Sequence, residues 1–116
     1  MLTPDQFWPN IASLKGLALK TLARGRAFDV VSVNSESVIL SPAVSGIERM
    51  IPRTDLENAF TALLHRRELT TLEIAEEIST FNAAYISALL AALPDVAVCQ
   101  GPVRLIFMGH QLFYLE

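Results

Sequence analysis

Charge is scarce in this chain: 18% of its residues are charged, against 52% hydrophobic. So apolar a composition excludes a disordered chain. It also supplies more apolar surface than one small core needs, which points to a covered partner surface. Cysteine is nearly missing. The single cysteine, Cys99, has no second thiol to join, and its place in Val96-Ala97-Val98-Cys99 reads as a small core side chain. A chain that relies on no disulfide suits a reducing compartment, so a cytoplasmic location is expected. Long apolar runs are missing too. The longest, Ala83 to Leu93, has 11 residues, about half of the ~20 that a membrane helix needs. Met1-Leu2-Thr3-Pro4-Asp5-Gln6 lacks the basic and apolar segments of a secretory signal. No membrane association is expected.

Catalytic and metal-binding patterns are equally scarce. Two histidines, His65 and His110, and one cysteine show no ligand spacing, so no metal is expected. The Ser45-Gly46 pair has no nucleophile context. The five glycines form no phosphate-cradling loop. A metal-dependent nuclease would group carboxylates near a lysine. Here Asp29, Glu36 and Glu48 fall on separate strands or turns, and Lys15 and Lys20 have no acid beside them. His65 with Arg66 and Arg67 complements a helix C-terminus instead. A non-enzymatic protein without a cofactor is expected.

What the chain does contain is an ordered run of local signals. Its 116 residues make one domain, 1–116, with a change of character near Pro52. In residues 1–53, Thr3-Pro4-Asp5-Gln6 opens a helix, and Phe7, Ile11 and Leu14 share one of its faces. Pro9 predicts one turn, a kink and a short continuation to Gly16. Four short strands follow: Leu17–Leu22, Phe28–Val33, Ser37–Ser41 and Glu48–Ile51. Turns at Arg24-Gly25-Arg26, Asn34-Ser35-Glu36 and Pro42–Gly46 separate them, which reads as an antiparallel, SH3-like unit.

Residues 54–116 begin with helical signals. Thr54-Asp55-Leu56-Glu57 and Thr70-Thr71-Leu72-Glu73 both fit capping boxes. Leu56, Ala59, Phe60, Leu63 and Leu64 form a helical stripe. Asn82 opens a third helix, Ala83–Leu93. Strands over 96–100 and 103–108, joined by Gly101-Pro102, make a hairpin, and Leu112–Leu115 ends the chain. The fold class is therefore α+β: a short N-terminal helix, a small antiparallel β unit, then three helices and a C-terminal hairpin.

The arrangement of residues 54–108 resembles the winged helix. Leu69-Thr70-Thr71-Leu72-Glu73-Ile74-Ala75 matches its capped second helix. The resemblance places Ala83–Leu93 as recognition helix and Val96–Met108 as wing. The β-then-helical order, with Phe81-Asn82-Ala83-Ala84-Tyr85-Ile86, is also similar to small non-catalytic segments of bacterial restriction and phage-defence proteins. One departure matters. Ala83–Leu93 has no charge and no amide to reach a base edge, and Glu73, Glu76 and Glu77 precede it. A helix apolar all round is buried, or shared with a partner.

Charge asymmetry points to the first half. Residues 15–53 carry six cations against three acids, a net +3, whereas 54–116 carry three against eight, a net −5. Four of the cations, Lys15, Lys20, Arg24 and Arg26, fall close together without an acid. Lys20, Arg24, Arg26, Arg49 and Arg53 are the expected phosphate contacts of a DNA-associated accessory or regulatory module, with double-stranded DNA as partner. The plainer alternative is a solvated basic edge that prevents strand aggregation. Phe28 is the one aromatic in that stretch, so no stacking platform for single strands is expected. The competing function is a protein-interaction or homodimerisation module, an adaptor or inhibitor in phage–host conflict. Its expected interface is Tyr85, Leu89, Phe107, Phe113 and Tyr114.

Overall fold

In a computed structural model of the chain, residues 2–109 are described. His110, Phe113, Tyr114 and the expected strand 112–115 lie outside them. The described residues form four helices and two antiparallel sheets, an α+β fold.

The first helix, α1 (Pro4–Ala12), starts with proline in its first turn and carries Phe7 and Ile11 into the core. It runs through Pro9 as one helix rather than as two pieces. An interior proline costs ~3 kcal/mol through its lost donor and ring clash. Burying Phe7 and Ile11 on either side of it contributes ~1.5–3 kcal/mol each and offsets that cost.

The β unit is a meander of β1 (Ala18–Lys20), β2 (Ala27–Val33), β3 (Ser37–Pro42) and β4 (Arg49–Pro52), in spatial order β1-β2-β3-β4. Its inner face is Phe28, Val30, Val38, Leu40 and Ile51, each essentially buried. The register shifts between Val30 and Ser32, and Val31 between them is exposed. β1 is shorter than the expected strand.

β4 passes into α2 (Arg53–Arg66) without a linker. The capping box expected at Thr54 does not form, because the helix begins earlier with Pro52 as its N-cap. The β3–β4 ladder reaches Ser37 and Pro52, and the Arg53 N–H donates to the Glu36 carbonyl at 2.7 Å. Those contacts set the helix start, and Glu57 instead accepts from Arg53 Nε at 3.2 Å. Arg67 closes α2 in the left-handed region, φ 68°.

A short strand absent from the expected set, β5 (Glu68–Thr70), follows, then α3 (Thr71–Glu77) and α4 (Ala83–Ala91). Here the capping box forms as expected. Thr70 Oγ1 accepts from the Glu73 N–H at 3.0 Å, and Glu73 Oε1 accepts from the Thr70 N–H at 2.9 Å. Replacing Thr70 by alanine is expected to lower stability by ~1 kcal/mol, measured by chemical denaturation. α4 ends before Leu93, although Leu93 stays buried. β6 (Val96–Cys99) and β7 (Arg104–Phe107) complete a second sheet, in order β5-β7-β6.

The buried side chains of both halves form one core. Phe60 of α2 stacks on Phe7 with ring centroids 4.4 Å apart and meets Phe107 edge-on at 6.4 Å. α4 is enclosed as its uncharged sequence anticipates: Ala83, Ile86, Ser87, Ala88, Leu89 and Leu90 are all buried. This corrects two expected interface residues. Leu89 is 0% and Phe107 1% exposed, so both belong to the core, where their apolar side chains find partners within the chain. Cys99 is half-buried on β6.

Candidate functional site

Six residues, 21–26, connect β1 to β2, and their backbone is tightly bonded. The Thr21 N–H donates to the Arg26 carbonyl at 3.0 Å, and the Gly25 N–H donates to the Thr21 carbonyl at 2.9 Å. The buried Thr21 hydroxyl accepts from the Arg26 N–H at 3.0 Å. Gly25 takes φ +64°, a left-handed conformation that glycine adopts without penalty. The loop therefore presents Arg24 and Arg26 on either side of a fixed tip. Both are exposed, and neither pairs with a carboxylate among the described residues.

Arg24 and Arg26 line a cleft of about 270 Å³. Phe81, Ala84, Tyr85 and Arg49 line it with them. Thr71 and Ser87, which also line it, share a hydrogen bond of 3.0 Å between their hydroxyls. Among the described residues no acidic side chain lines the cleft.

Arg49 is held in place by three contacts. Its Nη1 donates to the Phe81 carbonyl at 2.9 Å and to Asn82 Oδ1 at 3.3 Å. Its guanidinium lies 5.1 Å from the centroid of the Tyr85 ring, and Tyr85 in turn meets Phe28 edge-on at 5.2 Å. Asn82, expected to cap α4 through its side chain, spends its oxygen on Arg49 and makes no cap bond.

The expected phosphate contacts are thus divided. Arg24, Arg26 and Arg49 converge. Lys20 is exposed at the end of β1, paired in the ladder with Ala27, and does not line the cleft. Arg53 is engaged elsewhere. It bonds Glu57, donates Nη1 to the Ser35 carbonyl at 3.0 Å, and lies 4.7 Å over the Trp8 ring. Of the expected interface residues, Tyr85 is half-buried and faces this cleft.

Sequence reasoning named Tyr85 for a protein interface but joined neither it nor Phe81 to the arginines. Phe81 and Tyr85 stand far from Arg24 in the chain and reach it through packing of α4 against β1. Phe81 precedes the Asn82 cap, where an apolar residue often packs back on the fourth helical residue, here Ile86. Instead it is 85% exposed, forgoing the ~1.5–3 kcal/mol that burial of its ring contributes.

Comparison with protein-family models, curated proteins and solved structures finds no match to this chain. Among the described residues no group of histidine, cysteine and acidic side chains is arranged to hold a metal ion, and no helix is long and apolar enough to cross a membrane. The chemistry available in the cleft is anion recognition. Planar guanidiniums donate paired N–H groups that match the oxygens of a phosphate.

Proposed function

We propose that this protein is a non-enzymatic, cytoplasmic DNA-associated accessory module that grips the phosphate backbone with Arg24, Arg26 and Arg49. One observation carries the reading: three arginines from two separate elements line one cleft that no carboxylate among the described residues shares. In a winged-helix reading of the second half, supported by the order α2, β5, α3, α4, β6, β7 and the sheet order β5-β7-β6, α4 does not enter a groove. Its exposed positions include only alanines, Ala84 and Ala92 at its C-cap, and its first turn lines the same cleft as the β1–β2 loop.

The test is a salt titration of DNA binding. Each phosphate neutralised on a duplex contributes about 0.9 to the slope of log K against log salt, and about 0.7 on a single strand. The double variant Arg24→Ala/Arg26→Ala is expected to lower that slope by roughly 1.4–1.8 while leaving the melting temperature unchanged. Failure of the unsubstituted protein to bind any DNA at low salt would end the proposal.

A second reading, the protein-interaction module, draws on a different surface from the one expected. Val44, Ile47 and Met50 on β4 and the loop before it are 93%, 73% and 60% exposed. A concentration-dependent dimer in sedimentation, without DNA binding, would favour it.

A further inference from the structure

Phe81 combines a fixed backbone with an uncovered ring. Its carbonyl is held by Arg49, the neighbouring Asn82 side chain is held by the same guanidinium, and the Asn82 N–H donates to Ser79 Oγ at 3.3 Å. Phe81 is 85% exposed and lines the same cleft as Arg24 and Arg26. A flat apolar surface that shares a cleft with cations suits a ligand that is both planar and anionic. The space of about 270 Å³ leaves room for a ring beside a phosphate. A duplex cannot use this geometry, because its bases are stacked and paired inside the helix. An unpaired nucleotide can, since its base is free to turn onto an aromatic face. Stacking on an aromatic face is open to every base, so recognition through the ring is tolerant of sequence.

We propose that the cleft holds one unpaired nucleotide of a single strand, with its base stacked on Phe81 and its flanking phosphate on Arg24 and Arg26. This rests on the phosphate-binding reading above and narrows its ligand from a nucleic-acid backbone in general to that of unpaired strands.

The experiment is fluorescence anisotropy with a labelled short oligodeoxyuridylate, an oligouridylate of the same length and a blunt duplex. Both single strands are expected to bind more tightly than the duplex, and the tighter of the two identifies the preferred sugar. Phe81→Ala is expected to weaken single-strand binding by roughly five- to a hundred-fold without changing the salt slope, and Phe81→Tyr to retain it. Because the ring is exposed, both variants keep the parent's melting temperature, which serves as the folding control. If Phe81→Ala binds single strands as well as the parent while Arg24→Ala/Arg26→Ala does not, stacking is overturned and the phosphate contact survives. Preference for the duplex likewise overturns the unpaired nucleotide alone. No binding to any of the three removes both proposals.

Discussion

Replacing Phe60 by alanine lowers the free energy of unfolding by about 3–5 kcal/mol, the usual cost of deleting a buried phenyl ring. Phe60 is 3% exposed and stands between two other rings, stacked on Phe7 of α1 and edge-on to Phe107 of β7. No single neighbour can collapse into the space it leaves, because those neighbours are anchored on different elements. For a domain whose total stability is of the order of 5–15 kcal/mol, this is a large fraction. Denaturant titration of the variant measures it. A Phe7→Ala/Phe60→Ala double-mutant cycle isolates the pair itself, expected to contribute about 0.5–1.5 kcal/mol beyond area burial. A loss below about 1 kcal/mol for Phe60→Ala would mean that α1 does not pack there in solution.

Leu89→Ala is the second large effect, expected at about 2–5 kcal/mol. Leu89 is wholly buried in a helix enclosed on nearly all sides. The substitution should therefore lower the denaturation midpoint and leave the sedimentation coefficient of the folded protein unchanged. A variant with parental stability and altered self-association would instead put Leu89 at a surface between molecules.

Local chemistry in the sequence accounts for most of the elements. The Thr70–Glu73 box predicts the start of α3 because both of its hydrogen bonds lie within four residues. The β-branched runs and their turn residues predict the meander because each strand pairs with its sequence neighbour. Where a distant contact decides, the prediction fails. Thr54 offers an equally good box, yet the β3–β4 ladder and the Glu36 carbonyl start α2 earlier. β5 is three residues long, too short to show alternation, and exists because β7 pairs with it. Pro9 reads as a kink locally, but the core holds the helix on both sides of it.

The candidate site divides in the same way. Arg24 and Arg26 flank Gly25, so their shared loop is visible in the sequence. Their meeting with Arg49, Phe81 and Tyr85 depends on how α4 packs against β1, which no periodicity encodes. Leu89 and Phe107 show the complementary limit. An apolar side chain is equally suited to a core and to an interface, and only the packing tells which.

The direct passage from β4 into α2 has a consequence for how this unit can be inherited. A cut at Pro52 would strip Phe7 of Phe60 and Phe28 of Tyr85, leaving two sticky fragments in place of two modules. An exchange of sequence between genes that broke the chain at this junction would divide one shared core.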